Sequence, residues 1–270
     1  MGLLVQFLLR LVFGFAAAMA VVSPKQVTSG YFRNNLYVAL GLCALGGLLS
    51  RGAAPAAFWW AVAGAAASYV GSVCWLYEKP AAGRAALVVL SLAALTGCLV
   101  ERRAEVKRLD NEQFAERYDL DDVNRRAVGL AAAGLGVASV ISSGLLIGTT
   151  LAAMLLGHWY LNSPTMHLEP LRRLIVAMGV AATLHAAVCA AGLVGELSIA
   201  AAASTQWTCF VVLRWGFGLA AVAILAWMAY ETLKVPNTQS ATGILYVGVI
   251  GVFVGETTSL LLSADAAFPL

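Results

Sequence analysis

Residues 130–156 read LAAAGLGVASVISSGLLIGTTLAAMLL, and residues 157–173, which follow directly, read GHWYLNSPTMHLEPLRR. The first stretch contains no charged side chain. As a helix it would rise about 40 Å, more than the ~30 Å hydrocarbon core of a bilayer. The second stretch mixes aromatic, polar and basic residues, which is typical of a membrane–water boundary. Together they predict a transmembrane helix that ends in an interfacial loop.

The composition of the whole chain supports a membrane environment. Hydrophobic residues make up 61%, charged residues 11%, and the mean hydropathy is +0.83, against about 45–50% and about 25% in soluble domains. A net charge of +3 with no basic run among aromatics argues against nucleic-acid binding. The five cysteines lie in apolar runs without CxxC spacing, which favours small packing residues over disulfides or a metal site. We expect the lipid bilayer as the main partner, in the plasma (inner) membrane of a bacterium.

Eight apolar runs are long enough to be spans, which predicts an all-α polytopic bundle. Their approximate bounds are 2–22, 31–50, 57–76, 85–100, 130–156, 174–197, 207–230 and 243–263. The first run begins without a basic segment, so we interpret it as a retained helix and not as a signal peptide. All seven prolines lie at or outside span ends, so we expect no helix broken by a mid-span proline, which counts against a transporter.

A densely charged segment divides the chain. Residues 101–126 hold seven Lys/Arg and eight Asp/Glu, a density typical of a solvated segment. We therefore expect a first four-helix half over residues 1–100, an extramembrane connector over 101–126, and a second four-helix half over 127–270. A docking surface for a partner is the alternative role of this connector.

The two halves share features in the same order. Ser-Pro follows the first span at 23–24 and the fifth span at 163–164, while Glu78 follows the third span and Glu231 the seventh. A duplication of four helices, an even number, would relate the halves by an axis along the membrane normal. Chance similarity between apolar helices is the alternative.

The order of the eight spans also predicts on which side of the membrane each loop lies. Loops 1–2, 3–4, 5–6 and 7–8 share one side, the motif face, and the connector lies on the opposite side, the connector face. The motif face carries seven basic residues and the connector face eight. The positive-inside rule therefore does not decide which face is cytoplasmic.

The loop at 157–173 supplies a set of interfacial ligand candidates, which are His158, His167, Glu169, Arg172 and Arg173. A metal site needs three or four ligands in fixed geometry, and this spacing matches no metal motif, so we predict none. Interfacial anchoring is the favoured interpretation, with the two arginines near lipid phosphates.

A haem held by two histidines within the membrane is disfavoured by depth. His185 lies about 11 residues into the sixth span, some 17 Å below the motif face, whereas His158 lies near that face. Two axial ligands must straddle one iron. We therefore expect no haem of this kind, while a quinone or a lipid remains an open cofactor.

Buried charges are the second set of candidates. Counting along the spans places Arg214 and Glu256 at similar depth, about 10 Å from the connector face, with Arg10 near that level. Unpaired charge inside hydrocarbon costs several kcal/mol, so Arg214 and Glu256 are expected to be neighbours. With His185 in the sixth span, they are our candidates for binding a proton or substrate; a purely structural pair, or an Arg10 that reaches the interface, is the alternative.

Signatures of soluble enzymes, such as Walker A, GxSxG, HExxH or a Rossmann fingerprint, do not occur. We assign no catalytic residues and expect no catalytic activity of the chain alone. The first hypothesis is a subunit of a larger energy-transducing or redox-linked membrane assembly, with other membrane subunits as partners. The second is a proton-coupled transporter of a small solute or ion, and an enzyme acting on lipid is the weakest.

Overall fold

The computed structural model describes residues 2–109, 122–163, 166–199, 204–235, 237–264 and 266–270. Within them, eight helices are long and apolar enough to cross a membrane, which confirms the all-α polytopic bundle. These are α1 Gly2–Val21, α2 Ser29–Ala53, α3 Phe58–Leu76, α4 Pro80–Leu109, α5 Asp122–Asn162, α6 Glu169–Ile199, α7 Thr205–Thr232 and α8 Thr238–Ser263.

Two helices are longer than the spans expected from hydropathy. α4 continues past residue 100 to Leu109, and α5 begins at Asp122 and has 41 residues, about 60 Å of rise. The described ends of the charged connector are thus continuations of transmembrane helices, and its middle lies outside the described residues. The first of these ends packs against α5: Arg102 Nη2 donates to the Ala132 carbonyl at 3.4 Å, and its guanidinium lies over Gly136.

Helices pack in the same order within each half. In the first half α1 contacts α2 and α4, and α3 contacts both α2 and α4; α5 to α8 repeat this ring. Antiparallel neighbours joined by short loops produce such rings without duplication. The superposition of the halves therefore stays a prediction.

The halves meet mainly where α1 crosses α5. Gly14 of α1 lies against the backbone of Gly144 and Gly148 of α5, so closely that a methyl group at Gly14 or Gly148 would collide with the facing helix. Small residues allow this approach in membranes, where van der Waals contact drives helix association. The seam between the halves is therefore backbone against backbone.

α7 is not a regular α-helix throughout, although it contains no proline. Residues Arg214–Ala220 form a π-helical segment between two α-helical segments, Thr205–Leu213 and Ala221–Thr232. A π segment adds a residue to a helical turn without needing proline, and such segments are frequent at functional sites. The segment begins at Arg214, one of the buried charges.

Candidate functional site

Four ionisable side chains meet inside the bundle, and we call them the charge cluster: Arg10 of α1, His185 of α6, Arg214 of α7 and Glu256 of α8. Each is at most 3% exposed. Arg10 lies eight residues from the start of α1 and Glu256 seven from the end of α8, which places both about 10–12 Å from the connector ends of their helices.

Glu256 is the centre of the cluster. Arg214 Nη2 donates to Glu256 Oε1 at 2.9 Å, so the expected neighbouring pair is confirmed. Arg10 Nη1 lies 3.7 Å from the other carboxylate oxygen, Oε2. One carboxylate is therefore shared by two guanidiniums, which come from different halves of the molecule.

Arg10 is held by polar groups on its own helix and on α5. Its Nη2 donates to Gln6 Oε1 at 3.3 Å and its Nη1 to Ser143 Oγ at 3.2 Å. The contact with Ser143 spans the seam between α1 and α5. These bonds keep the guanidinium inside the bundle, so Arg10 does not reach out to the interface.

His185 lies between an acid and a hydroxyl group. Its Nε2 is 2.7 Å from Glu256 Oε1, and its Nδ1 is 2.8 Å from Ser142 Oγ. Ser142 Oγ also lies 3.4 Å from the Ser139 carbonyl. The hydroxyl can donate to a neutral Nδ1, or accept from a protonated one while donating to the carbonyl. Both protonation states of His185 thus have hydrogen-bond partners.

Cys189 completes the surroundings of His185 one turn along α6. Its Sγ lies 3.7 Å from His185 Nε2 and 3.5 Å from Arg214 Nη2. Arg214 Nη2 also contacts His185 Nε2. The thiol, the imidazole and the guanidinium therefore form one contiguous polar patch with Glu256.

Two glycines, Gly218 and Gly255, allow α7 and α8 to approach closely beside Arg214. A methyl group on Gly218 would come within 2.6 Å of Gly255 Cα and 3.2 Å of Arg214 Nη1. α7 and α8 therefore touch through backbone at the level of the cluster. This close approach, together with the π segment, places the guanidinium beside Glu256.

The last described residues, 266–270, pack against α6 and α8 near the connector face. The amides of Ala267 and Phe268 donate to Glu196 Oε2 at 2.9 and 3.1 Å, and the Leu270 amide donates to Ser263 Oγ at 3.0 Å. Ser259, three residues after Glu256, donates to the Leu270 backbone oxygen. This tail, residues 266–270, therefore lies about one helical turn from the cluster.

An apolar groove is lined by residues of α1 and α8. It has a volume of about 570 Å³ and is lined by nine residues, including Phe7 and Phe253. These two rings pack edge to face with centroids 5.3 Å apart. Each lies three residues from a charged residue of the cluster, Arg10 or Glu256, so the aromatic pair stands at the level of the ion pair between the two helices.

The interfacial candidates are not gathered into one site by their side chains. His158 is exposed, and its Nδ1 lies 3.4 Å from the Tyr246 hydroxyl. His167 is also exposed and contributes its backbone carbonyl, which accepts from the Tyr160 hydroxyl.

The three charged members of this set make structural contacts. Arg173 and Glu169 form an exposed ion pair at 2.8 Å, and Arg172 Nη2 donates to the Leu233 carbonyl at the end of α7 at 2.7 Å. Among the described residues, no group of three or more His, Cys, Asp or Glu side chains is placed to hold a metal ion.

Sequence reasoning did not single out several polar partners of the cluster. Two of them had a visible signal, since Gln6 stands four residues before Arg10 and Cys189 four after His185, a spacing that shares one helix face. The pair Ser142-Ser143 stood out only as hydroxyls within an apolar span. Glu196, which binds the tail, gave no signal beyond a charge near a span end.

No protein-family model, curated protein or solved structure matches this chain. The cluster itself limits the chemistry. It offers an ionisable imidazole, a carboxylate, two guanidiniums and hydroxyls in a buried setting, a combination suited to binding a proton or a charged solute.

Proposed function

We propose that this chain is a proton-coupled transporter of a small solute or ion in a bacterial plasma membrane, with His185 and Glu256 as the groups that take up the coupling proton. The observation that supports it is the position of His185, fully buried and in contact with both Glu256 and the Ser142 hydroxyl. Ionisable residues buried within membranes are rare and mark substrate, ion or proton pathways.

The surroundings of His185 favour a change of protonation with little movement. Rotation of the Ser142 hydroxyl between Nδ1 and the Ser139 carbonyl is enough to satisfy either state. A structural ion pair has no need of a partner that can both donate and accept. Arg214 and Arg10 both contact the Glu256 carboxylate, and a proton on Glu256 or a competing charge would weaken these contacts.

Reconstitution in liposomes tests this function. Gradients of a cation, an anion and a neutral solute are imposed in turn, and a trapped pH-sensitive dye reports proton uptake. We expect uptake with one solute class for the wild type, and loss of uptake in His185→Gln and Glu256→Gln. Two exposed residues supply matched controls, His158→Gln and Glu169→Gln, which should retain uptake.

Two results would contradict the proposal. One is proton uptake in folded His185→Gln and Glu256→Gln at the rate of the wild type. The other is a folded wild-type protein that moves no protons with any of the three solute classes. Folding of each variant is checked by its elution as a single species in detergent.

A subunit role in an energy-transducing or redox-linked assembly is the second candidate. The α1–α8 groove favours it, because its apolar lining beside the charge cluster would suit the chain of a quinone or a lipid. Purification in mild detergent separates the candidates. A subunit would co-purify with other membrane proteins in fixed ratio, and it would be inactive alone in liposomes.

A further inference from the structure

The contacts of the charge cluster contain more positive than negative charge. Arg10 contacts Gln6, Ser143 and Glu256, while Arg214 contacts His185, Cys189 and Glu256. With His185 neutral, these contacts join two guanidiniums to one carboxylate. Excess charge in a low-dielectric interior is unfavourable unless a counter-charge is bound.

The guanidiniums also retain unused donors. Arg10 Nε and Arg214 Nε and Nη1 are buried and have no hydrogen-bond partner among the described residues. The nearby acceptor Glu256 Oε2 also makes no hydrogen bond there and lies 3.7 Å from Arg10 Nη1. Both side chains are more than nine-tenths buried. Each buried donor left without an acceptor costs about 1–3 kcal/mol. A bound acceptor that carries negative charge would both reduce the excess positive charge and satisfy the unused donors.

We infer that the charge cluster binds a small monovalent anion, either inorganic or a short monocarboxylate, at Arg10 and Arg214. The inference rests on the proposed function and names its substrate class. A planar guanidinium offers several donors in fixed geometry, which suits carboxylate and oxyanion acceptors. With Glu256 ionised, one monovalent anion balances the excess; with Glu256 protonated, the anion takes the place of the single charge of that carboxylate.

Binding of the anion and of a proton are coupled through Glu256. An anion at the guanidiniums competes with the Glu256 carboxylate for Arg214 Nη2. When Glu256 takes up one proton it becomes neutral and gives up this contact, and the anion replaces its charge. One proton and one monovalent anion thus enter the site together, and the total charge of the cluster is unchanged.

Other titratable groups adjoin the cluster and are alternative sources of negative charge. Cys189 Sγ lies 3.5 Å from Arg214 Nη2. On α4, the Cys98 thiol lies 3.8 Å from the Gln6 carbonyl, and Glu101 is buried one turn further along that helix. A Cys189 thiolate would balance the second guanidinium without any ligand.

Thermal unfolding of the purified protein tests anion binding without transport. Chloride, nitrate, formate and acetate are each compared with gluconate, a much larger monovalent anion, at constant ionic strength. For the wild type we expect Tm to rise with the logarithm of the small-anion concentration, because ligands that bind the folded state stabilise it. Comparison of the four anions separates inorganic from carboxylate sources.

Arg10→Gln removes the excess charge and should weaken anion binding at least about tenfold. The exposed Arg173→Gln, which also removes one positive charge, is the matched control and should bind as the wild type does. Anion addition to wild type in weak buffer should also raise the pH as Glu256 takes up a proton. This second measurement needs no variant, so the inference stays testable if Arg10→Gln does not fold.

Three outcomes would overturn the inference. The first is no effect of any small anion on the wild type. The second is equal stabilisation of folded Arg10→Gln and wild type. The third is anion binding that appears only in Cys189→Ser, or only in Glu101→Gln, which would show that a side chain supplies the second negative charge.

The same experiments separate this inference from the proposed function. Proton uptake driven by a cation or a neutral solute, with no anion binding, would leave the transporter proposal standing and end the anion inference. Saturable anion binding without proton uptake in liposomes would support the anion inference and contradict the transporter proposal.

Discussion

Glu256 is the side chain on which the charges of the bundle converge. Arg214, His185 and Arg10 all contact its carboxylate, so its removal would leave two guanidiniums without this counter-ion. The arginines and the acid were found from sequence because depth can be counted along a helix at about 1.5 Å per residue. That His185 faces Glu256 could not be read this way, since depth does not give the rotation of a helix about its axis.

Removal of one partner of the Arg214–Glu256 pair should cost more than removal of both. We expect Glu256→Gln to lower the free energy of unfolding by about 3–5 kcal/mol, because a buried charge is left unbalanced. The double variant Arg214→Met with Glu256→Gln should recover part of that loss. Reversible unfolding in mixed micelles gives the three free energies.

The double variant also separates a structural from a functional pair. Recovery of stability without proton uptake in liposomes supports the proposed role of the pair. Recovery of both stability and uptake would show that the pair only locks α7 to α8. Additive losses of stability would mean that the two side chains do not interact.

At the scale of single helices, hydropathy located every span but not its ends. The expected fourth span ended at residue 100 and the expected fifth span began at residue 130, whereas α4 and α5 extend into the charged segment between them. A helix can continue from the membrane into water through charged residues, because its backbone hydrogen bonds are formed within the helix in both environments. The π segment of α7 was missed for another reason, since no proline marks it in the sequence; in the structure it packs against α8.

Two glycines of the π segment provide a matched test of that packing. A methyl group on Gly218 would press on Gly255 and Arg214, whereas one on Gly216 meets nothing within 4 Å. Gly218→Ala should therefore separate α7 from α8, lower Tm and reduce proton uptake. Gly216→Ala should leave both near the wild-type values, and a similar loss in the two variants would contradict this account of the site.

The seam between α1 and α5 offers a second matched pair on one helix. Gly148→Ala should destabilise the protein by about 1–3 kcal/mol, because a methyl group collides with the backbone of Gly14. Gly134→Ala lies in open space on the same helix and should be neutral or slightly stabilising, since alanine is the better helix former. Chemical unfolding of both variants measures the difference, and equal free energies would contradict the close packing at this seam.

At the scale of the whole molecule, the eight antiparallel helices found among the described residues fix the sides on which the loops lie. Reporter fusions after Lys79 and Asn237 should give one sidedness, and fusions after Ala54 and Ser204 the other. Activity of an alkaline phosphatase or fluorescent reporter in cells provides the measurement and also supplies the orientation that basic-residue counts do not. A fusion after Ala54 that reports with those after Lys79 and Asn237 would contradict the eight-span order.

The positions of the seam and of the charge cluster imply that a bound proton changes how firmly the two halves are held together. Gly14, Gly144 and Gly148 bring the backbones of α1 and α5 together at the seam, and the Arg10–Ser143 hydrogen bond crosses it. The attraction between Arg10 and Glu256 ties α1, in the first half, to α8, in the second. A proton on Glu256 would remove that attraction. Uptake of one proton would then weaken a link between the first four helices and the last four, and so make it easier for them to move relative to each other.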